Sequence, residues 1–109
     1  MAYFLCTLTH GPSWDRDRTI RDQDGWTEHA AYMDHLVADG FIVVGGPVGN
    51  GDYTAHLIHA DDEASVRSRL SVDPWSADGH LTVGLLESWA LWLDGRGPAH
   101  RPPSITLPA

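Results

Sequence analysis

The sequence predicts an α+β fold, a ferredoxin-like β-α-β-β-α-β sandwich with a four-stranded antiparallel sheet. Four short segments rich in β-branched, aromatic and other apolar residues predict the strands, and two capped segments between them predict the helices. A length of 109 residues and a hydrophobic content of 42% suit one domain with a modest core. We therefore expect two helices that cover one face of a single sheet.

The first strand is predicted over residues 3–9, which are almost continuously apolar. Residues 11–24 show no helical period, so they are predicted to form a long loop that could act as a lid. The first helix is predicted from about Asp24, as its N-cap, to Asp39, because Gly40 then stops it.

The second strand is predicted over residues 41–44, a short apolar run. Gly45-Gly46-Pro47 is expected to break that strand before a hairpin turn leads into the third strand, residues 53–60. The sequence thus places two neighbouring antiparallel strands in the middle of the chain.

The second helix is predicted to end near Leu70 and to begin at an N-cap, either Asp61 or Asp62. Acidic residues fill its first turn and arginines its last, as the helix dipole favours. The last strand is predicted over roughly residues 80–93.

A homodimer is predicted because strands 3–9, 41–44 and 81–93 are apolar on both alternating sets of positions. Two helices can cover only one face of the sheet, and a second copy of the chain is the economical cover for the other. The domain is predicted to span residues 1–94. A Pro-rich C-terminal tail, residues 95–109, is expected to lack fixed structure unless it docks on a partner.

Composition and charge exclude several classes of function. A net charge of −8 without a cluster of Lys and Arg argues against nucleic acid as a partner. There is neither an apolar run of about 18 residues nor a signal peptide pattern, so we expect no membrane association and a cytoplasmic protein. The single cysteine, Cys6, is expected to be a buried hydrophobe. His56 and His59 are three apart on a strand, so they should point to opposite faces and cannot chelate a metal together. No other histidine spacing suits a metal, so neither a metal site nor a cofactor is predicted.

His29 is the leading candidate for chemistry. At about 100° per residue it lies on the apolar stripe of the first helix, whereas His35 is rotated toward solvent. The segment Asp73-Pro74-Trp75 is predicted to close another helix and could supply a carboxylate to His29, which would make the smallest general acid–base unit. The alternative is structural. His29 would then be a core-edge histidine, and Asp73 a turn residue that caps local N–H groups.

The order of these segments resembles the YCII-related family of small α/β proteins over about residues 3–93. The resemblance rests on the helical histidine, on Gly-Phe-Ile-Val-Val-Gly-Gly-Pro at residues 40–47, and on Asp-Pro-aromatic at residues 73–75. It implies a dimeric α/β barrel in which two sheets face each other, with a cleft between helix and sheet in each subunit. It also implies that His29 and Asp73 pair as an active site, and that the activity is a lyase-like elimination.

The expected function is that of a small-molecule enzyme, a cofactor-independent lyase or isomerase acting on a small cyclic or aromatic substrate. His29 would move a proton, and Asp73 would fix the tautomer of its ring and stabilise the imidazolium. Trp26, Tyr32 and Trp75 are predicted to bind the substrate, although indoles equally suit core and dimer packing. Two alternatives stay open: a cofactor-free monooxygenase of the dimeric α/β barrel type, and a non-catalytic small-ligand binding or accessory protein.

Overall fold

The structure, a computed structural model, describes residues 1–97. Within this range no helix combines the length and hydropathy that a membrane span requires. In chain order the elements are β1 (Ala2–His10), a short 3-10 helix (Ile20–Asp22), α1 (Trp26–Ala38), β2 (Ile42–Val48), β3 (Tyr53–Ala60), α2 (Glu63–Leu70), α3 (Pro74–Asp78) and β4 (Leu81–Ser88).

The four strands form one antiparallel sheet in the order β2-β3-β1-β4. The predicted α+β class and four-stranded antiparallel sheet are therefore confirmed, and the strand order is consistent with a ferredoxin-like arrangement. The structure adds two short elements that the sequence pattern did not predict, the 3-10 helix and the five-residue helix α3.

The core lies between the helices and one face of the sheet. Alternate residues of β1, namely Phe4, Cys6 and Leu8, are buried there, while their neighbours are partly exposed. The helices contribute Leu36 from α1 and Val66 from α2. Cys6 is fully buried as predicted, and burial raises the pKa of its thiol to about 11, so the thiol stays protonated at neutral pH.

The other side of the sheet, here called the open face, carries apolar side chains without a helix over them in the described part of the chain. Leu5 and Val44 both pair with Leu57 across the ladders, and Val44 is 64% exposed. The apolar and aromatic side chains of the open face are Leu5, Val44, Val48, Tyr53, Leu57 and Leu85, and the register places Thr9, Thr82 and Glu87 on the same face. The sequence expectation that β1 and β2 are apolar on both faces agrees with this pattern.

Two strand boundaries differ from the prediction. Gly45-Gly46-Pro47 does not break β2, which continues to Val48, because β2 is an edge strand and an edge tolerates the missing N–H of proline. β4 ends at Ser88 rather than near residue 93. The next N–H, that of Trp89, donates to the carbonyl of Tyr3, and β1 begins only one residue before Tyr3.

The helix starts also need correction. α1 begins at Trp26 after Gly25, which adopts the left-handed conformation at φ 81°, so Asp24 is not its N-cap. Asp73 does not close a helix; it is the N-cap of α3. For α2 the predicted cap is confirmed, since the Asp62 side chain accepts a hydrogen bond from the N–H of Ser65.

The predicted loop 11–24 is fastened by one buried side chain, that of Gln23. Its Nε2 donates to the carbonyl oxygens of Asp15 at 2.6 Å and Arg18 at 3.1 Å. Its Oε1 accepts from the backbone N–H of Asp15 at 2.9 Å. A short 3-10 helix occupies the second half of the loop, which is therefore ordered by its own hydrogen bonds rather than irregular throughout.

The predicted boundary between the domain and the C-terminal tail falls within a contacting segment. Arg96 pairs with the buried Asp94 at 2.6 Å, and its guanidinium lies over the ring of Tyr3 at 5.3 Å. The start of the predicted tail, residues 95–97, thus contacts β1. Residues 98–109 lie outside the described residues.

Candidate functional site

The structure brings together the two residues that the sequence analysis proposed as a pair. Nδ1 of His29 lies 2.8 Å from Oδ2 and 2.9 Å from Oδ1 of Asp73. The His29 residue is 7% exposed and Asp73 is fully buried. Because a carboxylate only accepts hydrogen bonds when ionised, Nδ1 of His29 carries the shared proton, and Nε2 holds a lone pair whenever the ring is neutral.

Asp73 is aimed at His29 by the way that α3 begins. Its Oδ1 accepts a hydrogen bond from the backbone N–H of Trp75 at 3.1 Å, and Pro74 occupies the first turn, where its missing N–H costs nothing. The Asp73 carboxylate therefore does both things that the sequence analysis considered: it caps local N–H groups and it pairs with His29. One oxygen caps α3, and both oxygens lie within hydrogen-bonding distance of the imidazole.

Trp75 holds the imidazole from one face. Its ring stacks on that of His29, with centroids 4.0 Å apart and planes 10° apart, and His80 stacks on Trp75 at 5.3 Å. The indole Nε1 donates to the carbonyl of Asp24 at 2.8 Å. A Cβ at Gly25 would lie 3.2 Å from that indole nitrogen, so a glycine there serves both the left-handed turn and the close approach.

His29 forms part of the wall of a cavity of about 390 Å³ between α1 and the sheet. The apolar part of the wall comes from seven side chains: Leu8, Trp14, Ile20, Met33, Pro47, Trp75 and Leu81. Among the described residues, the wall contains no lysine or arginine. The volume and lining are those of a site for a small, largely apolar ligand.

Nε2 of His29 is available to such a ligand. Within residues 1–97, no buried side-chain nitrogen or oxygen lacks a hydrogen-bond partner, and the hydrogen bonds of His29 in this range use only Nδ1 and the backbone. Nε2 must therefore be accessible rather than sealed in the core. The pair thus presents its reactive nitrogen to solvent or to a bound molecule.

His56 is the site residue that sequence reasoning missed. The prediction that His56 and His59 face opposite ways is confirmed. His59 stacks on Tyr3, with centroids 4.5 Å apart, whereas His56 is buried and borders the cavity. Burial lowers the pKa of His56, and the nearby His29 lowers it further, although a hydrogen bond to the Cys6 carbonyl acts in the opposite direction.

The predicted substrate-binding residues occupy different places. Tyr32 does not border the cavity, and its hydroxyl donates to the carbonyl of Arg69 at 2.6 Å. Trp26 packs 5.8 Å from Trp75 but lies behind the cavity wall. Trp75 belongs to the wall, yet it is fully buried, so it supports the His29 ring more than it offers a surface.

The loop before α1 supplies an aromatic side chain that was not predicted at the site. Trp14 stacks on His10 with ring centroids 3.9 Å apart and planes 5° apart, and both border the cavity. Burial is the main cause that lowers the pKa of His10, and Asp52 beside the cavity opposes it. The sequence signal was a tryptophan within an otherwise polar loop.

A larger depression of about 660 Å³ lies elsewhere, between the start of β1 and α2. Its charged side chains include Arg69, which already pairs with Asp39 at 2.7 Å. It lacks a buried acid–base pair like that of His29, and it is more open to solvent. We therefore assign the candidate site to the smaller cavity.

The described residues hold no group of three or more His, Cys, Asp or Glu side chains arranged for a metal ion. No protein-family model matches this chain, and no curated protein matches it.

Proposed function

We propose that this chain is a small-molecule enzyme, a cofactor-independent lyase or isomerase that acts on a small cyclic or aromatic substrate. The observation that carries the proposal is the buried His29–Asp73 pair, whose imidazole borders a largely apolar cavity. Asp73 holds the proton on Nδ1, so Nε2 takes a proton from the substrate. The carboxylate then stabilises the imidazolium until the proton is returned.

The composition of the cavity wall supports this substrate class. Apolar and aromatic side chains dominate it, and cationic side chains that could bind a polyanion are absent from the described wall. A cavity of about 390 Å³ suits a compound of one or two rings. The resemblance to the YCII-related family supports an elimination as the reaction type.

A base-promoted elimination tests the proposal without knowledge of the natural substrate. The probe is 5-nitro-1,2-benzisoxazole: a base removes its ring C–H proton, the N–O bond breaks, and a coloured nitrophenolate forms. We expect His29→Asn to slow this reaction by about 100-fold, because asparagine can still donate to Asp73 but lacks Nε2. Asp73→Asn should also slow it, and the double variant should be little slower than His29→Asn.

The control is His35→Asn on the solvent side of the same helix, where the side chain is 60% exposed. It should leave the elimination rate unchanged. Equal rates for wild type and His29→Asn, or fully additive losses in the double variant, would contradict a His29–Asp73 unit. Binding of small aromatic compounds without any elimination would favour the binding-protein alternative.

We also propose that the chain works as a homodimer in which the open faces of two copies pack together, as the resemblance to a dimeric α/β barrel implies. The support is the set of exposed apolar and aromatic side chains on the open face, where Val44, Tyr53 and Leu85 are each at least 40% exposed. An apolar sheet face of this kind is commonly covered in the assembled protein.

Sedimentation of the full chain at micromolar concentration should give twice the monomer mass of 12.0 kDa. We expect Val44→Glu to sediment as a monomer, because the dimer would bury an unpaired charge. Val72→Glu is the matched control. Val72 is 63% exposed, close to the 64% of Val44, but it lies between α2 and α3, away from the open face. A wild-type monomer, or a dimer that survives Val44→Glu, would refute this interface.

A further inference from the structure

His56 and His29 border the same cavity but are fixed by partners of different charge. Nδ1 of His56 lies 3.3 Å from the carbonyl oxygen of Cys6 on the neighbouring strand β1. A carbonyl only accepts hydrogen bonds, so this nitrogen is the donor, and the neutral ring carries its proton on Nδ1. The lone pair of His56 is therefore on Nε2.

Nε2 of His56 is accessible by the same reasoning that applied to His29. His56 is 7% exposed, and in the described part of the chain every buried side-chain nitrogen has a partner. The hydrogen bonds of its ring in that part use only Nδ1. The ring forms, with Met33, the partition between the cavity and a shallower depression beside Gly45.

The different hydrogen-bond partners of His29 and His56 give the two imidazole rings different roles. The carboxylate of Asp73 compensates a positive charge on His29, whereas the neutral carbonyl of Cys6 compensates far less charge on His56. Four charged or titratable residues line the cavity or the depression that His56 borders: His29 and Asp34 from α1, and His10 and Asp52 across the cavity. Because of burial and the neighbouring His29, the pKa of His56 is lowered, so its ring stays neutral and offers only a lone pair.

We infer that His56 is a substrate-binding residue whose Nε2 accepts a hydrogen bond from the substrate, and that the substrate is therefore a small ring compound bearing an O–H or N–H donor. This inference rests on the proposed function of the cavity and names its substrate class. His29 exchanges the proton at the reacting atom, and His56 fixes the ring by its donor group. A substrate without the donor leaves Nε2 desolvated and unpaired, which lowers its affinity.

Gly45 makes room for this ring. It pairs with His56 across the β2–β3 ladder, and a Cβ at this position would lie 2.5 Å from Cδ2 of His56. The next residue, Gly46, provides a matched comparison, because an added Cβ there would meet nothing within 4 Å. A methyl group at position 45 should therefore displace the imidazole, while one at position 46 should not.

Phenol and anisole are the probes, because they share a ring and differ in the O–H donor. We expect the full-length wild-type chain to bind phenol at least about tenfold more tightly than anisole, measured by titration of backbone amide NMR signals. His56→Asn should abolish the preference, since asparagine can still donate to the Cys6 carbonyl but has no Nε2. Gly45→Ala should reduce it, and Gly46→Ala should retain it.

Nitrogen-15 NMR of the histidines in wild type gives a measurement that does not depend on any variant folding. It should show His56 protonated on Nδ1 and unprotonated on Nε2 at neutral pH. The inference is overturned by the opposite tautomer, by equal affinities for phenol and anisole, or by a preference that disappears in His29→Asn instead of His56→Asn. The benzisoxazole has no O–H or N–H donor, so its elimination tests the role of His29 without that of His56. The elimination test and the phenol–anisole test can therefore fail independently of each other.

Discussion

Trp75→Ala is expected to lower the free energy of unfolding by about 3–5 kcal/mol, the range for removing a large aromatic side chain from a core. Trp75 is fully buried and stacks on both His29 and His80. Its indole N–H also satisfies the carbonyl of Asp24. The substitution removes all of these contacts and leaves a cavity behind the His29 ring.

Chemical denaturation at one fixed protein concentration measures this loss, since the stability of a dimer would depend on concentration. Trp92→Ala is the control, because Trp92 is 59% exposed and its replacement should change the free energy of unfolding by less than about 0.5 kcal/mol. Trp75→Phe should fall between the two, since it retains a stacked ring but leaves the Asp24 carbonyl without its donor. Similar losses for Trp75→Ala and Trp92→Ala would contradict the assignment of Trp75 to the core of the site.

Asp73→Ala is expected to lower the free energy of unfolding by about 3 kcal/mol. Loss of a helix N-cap accounts for about 1 kcal/mol of this, and a buried hydrogen-bond donor left without its acceptor accounts for about 2 kcal/mol. The two partners concerned are the N–H of Trp75 and Nδ1 of His29, 3.1 Å and 2.8 Å from the carboxylate. The same denaturation experiment gives the value.

Asp62→Ala measures the stability lost with a helix N-cap alone, without the loss of a contact to His29. Asp62 caps α2 through the N–H of Ser65 at 2.7 Å, but it is exposed and no histidine contacts it in the described part of the chain. Its replacement should therefore be clearly less destabilising than that of Asp73. A loss as large for Asp62 as for Asp73 would mean that the contact with His29 contributes nothing measurable to stability.

Periodicity identified His29 but could not establish its partner. The helical stripe placed His29 on the inner side of α1, and the Asp-Pro motif marked Asp73 as a helix-terminal residue. Their contact joins positions 44 residues apart, and it depends on how α3 packs beside α1. The motif was interpreted as the end of a helix, whereas the five residues of α3 are too few to show a helical period.

His56 escaped prediction for a different reason. Alternation along β3 correctly separated it from His59, yet its role depends on a backbone carbonyl of β1 and on a glycine of β2. Strand register sets both contacts, and register depends on turn geometry and on which face is buried, neither of which a short pattern specifies. A glycine within an apolar strand was the available signal, because such a residue often marks a close approach. It was interpreted as a strand break.

Tyr32 shows the limit of assigning a side chain from its helix flank alone. Its position on α1 allowed it to turn toward His29 or away from it. The Arg69 carbonyl near the end of α2, which also accepts the N–H of Val72, decided the outcome. A buried or half-buried phenol takes the nearest acceptor, and backbone acceptors at helix ends are abundant. The sequence does not indicate which helix end lies beside Tyr32.

The hydrogen bonds of Gln23 have a consequence for the thermodynamics of ligand capture. Since the amide group ties Asp15 and Arg18 together, the loop that carries Trp14 and Ile20 into the cavity wall has lost its conformational freedom during folding. A ligand that enters the cavity therefore orders little of the protein. Its binding avoids the loss of conformational entropy that ordering a mobile lid would cause. We expect a single concentration-dependent association phase, with no slow step for closure of the loop.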